Sequence, residues 1–311
     1  MKALIIDKIH DVMFQMFSDA GIDYDYQPKI TKTEFDKLIS DYEILIIRSK
    51  FKIKAEDIDR ATNLKIIGRV GAGLENIDIN YAQSKQIICL NSPEGNRDAV
   101  GEHAVGMLLN LLNNIPKADR EIRKGIWDRE GNWGTEISNK TVGIIGYGNM
   151  GNAFARRIKA FTPNVLAYDK YKTNYSDAFV QEADMQELFD KCDILSLHVP
   201  LTEETKYLVS EDYISNFKKN IFLINTARGE CVDTIDLVSA LETNKIAGAC
   251  LDVLEYEKTT FEEMFSDEMP KALAYLVQSE KVILSPHIAG WTNEAYVKLS
   301  KVMAEKVIKN L

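Results

Sequence analysis

The chain has 311 residues, 45% of them hydrophobic, enough for two cores of ordinary size, because a single core stops growing at roughly 250–300 residues. Its 47 acidic against 38 basic residues leave a net charge of −9, which argues against nucleic acid, since phosphate backbones are held by clustered Lys and Arg. No uncharged stretch approaches the roughly 18 residues of a membrane span and the first apolar run ends at Asp7, so the reading is of a cytoplasmic protein with no membrane partner and no export signal.

From the N-terminus, short apolar runs bounded by turn residues recur: ALIID (3–7), EILIIRS (43–49), LKIIGRV (64–70) and QIICLN (86–91). Helix-like stretches lie between them, and strands alternating with helices imply a parallel sheet covered on both faces. A long helical pattern follows, AVGEHAVGMLLNLLNNIP (99–116), apolar at Val100, Ala104, Met107, Leu108, Leu111 and Leu112. Pro116 reads as its stop, and the helix as a bridge between domains. A second series then runs TVGIIGYG (141–148), NVLAYD (164–169), DILSLHVP (193–200), NIFLINTA (220–227), AGACLDV (247–253) and KVILSPH (281–287). Two series predict an α/β protein of two doubly wound parallel-sheet domains, with ligands beyond the C-terminal ends of the strands and a cleft between the domains as the natural site. Cys89, Cys192, Cys231 and Cys250 lie far apart with no CxxC pair, which fits reduced thiols in a cytosol and no metal.

The second series opens with a nucleotide signature. In TVGIIGYGNMGNAFARRIKAFTPNVLAYDK (141–170), a strand leads into Gly146, Gly148 and Gly151 at GxGxxG spacing, then a helix and a second strand. The first glycine permits the tight turn, the second lets backbone approach a pyrophosphate, and the third packs helix closely on strand. Gly146, Gly148, Asn149, Met150 and Gly151 are therefore the candidate pyrophosphate loop of a Rossmann domain. Asp169 ends the second strand eighteen residues past Gly151, where a carboxylate bonds an adenosine ribose and repels a 2′-phosphate. NAD rather than NADP is the predicted cofactor, with Lys170 next door the one feature against it.

Three later runs end in polar groups: Arg228 in INTARGE (224–230), Asp252, Glu255 and Glu257 in LDVLEYE (251–257), and His287 in LSPHIAG (284–290). Oxidising an alcohol beside a carboxylate needs a hydride acceptor, a base for the hydroxyl proton and a cation for the acid. His287 fits the base and Arg228 the clamp, because a guanidinium forks onto a carboxylate. Taken singly, each could be a surface Arg, a solvated Glu or a packed imidazole.

The ordered set GRVGAGLENID (68–78), GxGxxG at 146–151, HVPLT (198–202), NTARGE (225–230), LDV (251–253) and SPHIAGWT (285–292) resembles the D-isomer-specific 2-hydroxyacid dehydrogenases over nearly the whole chain. The resemblance implies Arg228 as substrate clamp, His287 as acid-base group, Glu257 as its carboxylate partner and Asp252 as holder of the nicotinamide amide. It adds His198, Pro200, Thr226, Ala227 and Gly290, within the matching motifs, to the cofactor site. It further implies a discontinuous flavodoxin-like substrate domain, roughly 1–95 with 286–311, around a Rossmann NAD-binding domain, 96–285. Region 99–130 resembles the family's dimer arm, so a homodimer is expected. One departure is Lys258 where the family often has Pro, followed by a long segment, 259–276. Its Phe261, Met264, Phe265 and Leu273 read as an apolar face that packs on its own domain, and Glu255 stands as a rival to Glu257.

For the substrate, the glycine-rich GRVGAG (68–73) can aim the N–H groups of Ala72 and Gly73 at a carboxylate. Arg48 and Arg69 end N-terminal strands, and two more cations suggest a second anion. Their positions resemble those of the phosphate-binding arginines of 3-phosphoglycerate dehydrogenases, which implies D-3-phosphoglycerate as substrate on the way to serine, with no room for an appended regulatory domain. The alternatives are a glyoxylate or hydroxypyruvate reductase, or an NAD-sensing binding protein on the same fold. A formate dehydrogenase fits less well, since a one-carbon substrate gives Arg48 and Arg69 no role.

Overall fold

Consecutive residues of the N-terminal strands alternate between two apolar layers, as a parallel sheet buried on both faces requires. The computed structural model describes residues 1–257 and 269–311. The chain divides into two compact units, Met1–Arg97 with Trp291–Leu311, and Asp98–Gly290.

Unit 1 contains β1 (Lys2–Ile5), α1 (Val12–Asp19), β2 (Asp23–Tyr26), α2 (Lys32–Leu38), β3 (Ile44–Ile47), α3 (Ala55–Arg60), β4 (Ile66–Arg69), α4 (Ile79–Ser84) and β5 (Ile88–Asn91). The strands pair in parallel in the order β2-β1-β3-β4-β5, the flavodoxin-like arrangement. Leu4, Leu45, Ile47 and Ile67 pack on one face with Phe35 and Ile58. Ala3, Ile5, Ile44, Ile46 and Ile66 pack on the other with Met13, Phe17, Leu299, Met303 and Val307, so the last stretch of the chain returns to cover the first sheet.

Unit 2 is entered through α5 (Arg97–Leu112) and α6 (Ile115–Arg123). Its sheet uses β6 (Val142–Ile145), β7 (Val165–Tyr168), β8 (Gln181–Glu182), β9 (Ile194–Leu197), β10 (Ile221–Asn225), β11 (Ile246–Leu251) and β12 (Val282–Leu284). Between them lie α7 (Asn149–Ile158), α8 (Met185–Lys191), α9 (Glu211–Ser215), α10 (Thr234–Glu242) and α11 (Lys271–Gln278); α12 (Asn293–Lys309) belongs to unit 1. The order β8-β7-β6-β9-β10-β11-β12 is all parallel and reverses direction between β6 and β9, as in a doubly wound dinucleotide-binding sheet with one further strand.

The helix over 99–116 does not run to Pro116. It ends at Leu112, Asn114 takes a left-handed φ of 52°, and Pro116 sits in the first turn of α6. A proline is tolerated there because the N–H it lacks has no partner within a helix's first turn. Two edge strands, β2 (DYDY) and β8, escape the sequence reading. Lys258, Phe261, Met264 and Phe265 lie outside the described residues, while Leu273 is buried with Leu276 in the core of unit 2. The four cysteines are free, and Cys231, like Cys192 and Cys250, is buried. No helix among the described residues is long and apolar enough to cross a membrane.

Candidate active site

Every site residue expected in unit 2 except Gly290 stands within six positions of the carboxyl end of a parallel strand. Gly146 follows β6 and His198 follows β9, the two strands that flank the reversal of strand order. Gly146 has φ 89°, and a Cβ there would stand 2.6 Å from the carbonyl oxygen of His198; one at Gly151 would stand 2.1 Å from that of Gly146. A Cβ at Gly148 would meet nothing within 4 Å, so the space in front of the loop is open. Gly148 caps α7, whose first residues are Asn149 and Met150, and a helix N-terminus with open space before it suits a pyrophosphate.

Asp169 follows β7. Its carboxylate accepts the N–H of Tyr147 at 2.9 Å and that of Tyr171 at 3.0 Å. Lys170, the feature that weighed against NAD, pairs with Glu204 at 2.8 Å. Further along the strand ends, two side-chain atoms are buried without a partner among the described residues: Nδ1 of His198 and Oγ1 of Thr226. The other His198 nitrogen, Nε2, lies 2.9 Å from the Ser196 hydroxyl, and burial pushes the imidazole's pKa down to about 3, so the ring is neutral. Ala227 donates its N–H to Asn225 Oδ1 at 3.0 Å, and the carbonyl of the exposed Pro200 accepts from the Thr205 hydroxyl at 2.6 Å. The open glycine loop, the acid after β7 and two orphaned polar atoms together fit a dinucleotide.

After β11 and β12 come the acid-base candidates. His287 Nδ1 lies 2.9 Å from Glu257 Oε2. An ionised carboxylate only accepts, so Nδ1 carries the proton and Nε2 is left as the reactive nitrogen. The rival, Glu255, is engaged elsewhere: it accepts from the Tyr207 hydroxyl at 2.9 Å and from the Thr234 N–H at 3.2 Å. Arg228 follows β10, with Nη1 donating to the Ala227 carbonyl at 2.6 Å. The residue after it must be glycine, because a Cβ on Gly229 would stand 2.1 Å from the carbonyl of Leu254. That approach sets the Arg228 loop directly against the turn that leads to Glu257.

Asp252 is 1% exposed and its carboxylate is engaged by its own chain. Oδ1 accepts from the Ser285 hydroxyl at 2.6 Å and the Ile288 N–H at 2.9 Å, and Oδ2 from the Ala289 N–H at 2.9 Å. Burial alone would raise its pKa; bonds from His103, Ser285, Ala289 and Ile288 outweigh that and hold the carboxyl below the usual range. Asp252 thus staples the 285–289 segment that carries His287. His103 and Ser285 are the residues the sequence reading missed. The Ser285 hydroxyl gives its proton to Asp252 and accepts from His103 Nε2 at 2.9 Å, which lies 3.5 Å from Asp252 Oδ1. Gly290 closes unit 2.

In unit 1, Arg48 follows β3 and Arg69 ends β4. Arg69 Nε donates to the Arg48 carbonyl at 3.1 Å. Among the described residues no carboxylate pairs with the Arg48 guanidinium, and the N–H groups of Ala72 and Gly73 meet no acceptor. The Ala72 carbonyl accepts from Asn91 Nδ2 at 2.6 Å, which fixes the loop.

The family model described as D-isomer specific 2-hydroxyacid dehydrogenase, NAD binding domain, matches residues 105–289. A D-3-phosphoglycerate dehydrogenase of Archaeoglobus fulgidus is 35% identical over 310 residues, 99% of this chain, although the chain spans only 57% of that protein's length. A hydroxypyruvate reductase of Thermotoga maritima is 36% identical over 282 residues, covering 91% of this chain and 89% of that protein. Among solved structures, an acyclic imino acid reductase in complex with NADPH and D-Arg is similar at a TM-score of 0.84 and 29% identity, over 99% of this chain and 96% of its own. A match over more than half the chain, joined to a relative of similar length, means that the chain belongs to the D-isomer-specific 2-hydroxyacid dehydrogenases, NAD-dependent oxidoreductases, and takes NAD as its cofactor.

Proposed function

We propose that the chain interconverts a D-2-hydroxy acid and its keto acid, with D-3-phosphoglycerate and 3-phosphohydroxypyruvate as the preferred pair, the entry to serine synthesis. When bound on the glycine loop and Asp169, NAD supplies the hydride acceptor. His287 takes the hydroxyl proton at Nε2 in oxidation and returns it in reduction, held in that tautomer by Glu257 2.9 Å from Nδ1. In unit 2, Arg228 forks onto the substrate's carboxylate or polarises its carbonyl oxygen. In unit 1, the N–H groups of Ala72 and Gly73 suit a carboxylate. The orphaned His198 Nδ1 and Thr226 Oγ1 are the polar atoms left to meet the dinucleotide, while Asp252, engaged by Ser285, Ile288 and Ala289, acts by holding the segment that carries His287.

The observation that carries the phosphorylated substrate is the Arg48 guanidinium, which has no carboxylate partner among the described residues and stands beside Arg69 at the strand ends of unit 1. Arginine suits phosphate because its planar fork matches two oxygens at once. A panel of phosphorylated and unphosphorylated acids tests this, with Arg48→Ala and Arg69→Ala alongside. Each substitution should lower kcat/KM for 3-phosphoglycerate by the equivalent of roughly 2–4 kcal/mol and leave hydroxypyruvate turnover nearly untouched. Unchanged kinetics on 3-phosphoglycerate would sink the assignment. A second reading, hydroxypyruvate or glyoxylate reduction, is favoured by the Thermotoga maritima relative, which matches this chain almost end to end. The working unit in either reading is a homodimer joined through the 115–133 stretch.

A further inference from the structure

In unit 1, β1 and β3 are the neighbours at which strand order reverses, the place where parallel sheets take ligands. Asp7 follows β1 and Arg48 follows β3, and the two lock together. Asp7 Oδ2 accepts the N–H groups of Arg48, Ser49 and Lys50 at 2.6, 3.2 and 3.3 Å. On its other side the Arg48 carbonyl accepts from Arg69 Nε at 3.1 Å and Asn76 Nδ2 at 3.2 Å. The backbone of Arg48 is therefore fixed at both ends of the residue.

Its side chain is held differently. The guanidinium carbon lies 5.2 Å from the ring centre of Trp291 and 5.8 Å from that of Tyr296. Tyr296 is braced edge-on by His10, ring centres 5.6 Å apart, and His10 is itself fixed by its N–H to Ser300 and by the Val12 N–H to Nδ1. Trp291 is 70% exposed, so its indole is no part of the core. A carboxylate partner would occupy the guanidinium's N–H groups and compete with any incoming anion. A ring face attracts the cation through its quadrupole and occupies none of them.

We propose that Trp291 and Tyr296 are positioning residues for an oxyanion site on Arg48, holding the guanidinium in place with its donors open for a phosphate group. The proposal rests on the reading of Arg48 as the phosphate ligand. Freezing a long side chain on binding costs about 0.5–1.5 kcal/mol, and a side chain already stacked has lost that freedom beforehand.

The test compares Trp291→Leu and Tyr296→Leu with Trp291→Phe and Tyr296→Phe, each assayed on 3-phosphoglycerate and on D-glycerate, with inorganic phosphate as inhibitor and Arg48→Ala alongside. The leucine variants should raise KM for 3-phosphoglycerate and Ki for phosphate together, by about three- to tenfold. Their kcat and their KM for D-glycerate should stay within twofold of the parent, and the phenylalanine variants should restore much of the loss. Leucine variants that match the parent on 3-phosphoglycerate while Arg48→Ala loses it would overturn the stacking role. An equal rise in KM for both substrates, or phenylalanine variants as poor as leucine, would overturn it too, since a merely structural residue behaves that way. An Arg48→Ala enzyme unaltered on 3-phosphoglycerate would remove the parent reading and the proposal with it.

Discussion

His287 has a φ of 55°, a left-handed conformation that side chains with a Cβ seldom adopt, and its N–H points to the carbonyls of Asp252 at 2.7 Å and Ser285 at 3.0 Å. The backbone is thus bent to aim the ring, which favours a chemical over a packing role. Replacing His287 by Ala should lower kcat by about 10²- to 10⁴-fold in stopped-flow hydride transfer while NADH affinity survives; an unfolded variant would instead speak for a packed ring. His198 makes a different prediction. Burial lowers its folded pKa to about 3, whereas an unfolded histidine titrates near 6.5, so below about pH 6.5 the unfolded chain binds a proton that the folded one refuses. The neutral ring's contribution is intact above that pH and declines by up to about 1.4 kcal/mol per unit as the pH falls toward 3. His198→Gln should flatten this slope in urea unfolding between pH 7 and 5; equal slopes would mean the ring is solvated. At this scale the sequence revealed polar residues that end apolar runs, such as Arg228 and His287. It hid His103, because a histidine on an apolar helix face reads as core, and its partner Ser285 is 182 positions away.

Strands were legible where they are buried on both faces, as in ILII of β3 and VGII of β6, and illegible where an edge relaxes the pattern. β2 reads DYDY with no fully buried residue, and aspartate is depleted in strands; only its pairing with β1 makes it one. The α5–α6 break was equally hidden, because nothing local announces that Asn114 turns left-handed. Between β10 and the turn after β11, by contrast, a single glycine sets how closely the Arg228 loop meets the turn bearing Glu257. Gly229→Ala would drive a methyl into the backbone of Leu254, a rigid neighbour, so the Arg228 loop and the turn bearing Glu257 must move apart. Because a shift of about 1 Å at a clamp can cost roughly 10²-fold in rate, kcat should fall by that order while NADH titration stays within a few fold. Wild-type turnover in this variant would show that the close approach has no bearing on the chemistry.

That the last helix belongs with the first sheet was not readable from residue pattern. The stripe Leu299, Met303 and Val307 on α12 says that one face is apolar but not which sheet it covers, and only the family resemblance suggested the answer. The same limit applies to α6 in the opposite sense, because none of its nine residues is buried among the described residues. Isolated helices shorter than roughly 12–15 residues are marginal in water, and pairs such as Lys117 with Glu121 at 2.9 Å and Arg123 with Asp119 at 2.8 Å offset little of that. Around it Ile115, Ile122, Ile126, Trp127 and Trp133 are all exposed, the two tryptophans at 80% each. So many large apolar side chains in one stretch suit a protein interface, and a second copy is the partner proposed for it. Sedimentation velocity at micromolar concentration should give twice the 35.2 kDa chain mass, and Trp127→Ser with Trp133→Ser should shift it toward one. A parent chain that sediments as a monomer, or a double variant still fully paired, would place the partner surface elsewhere.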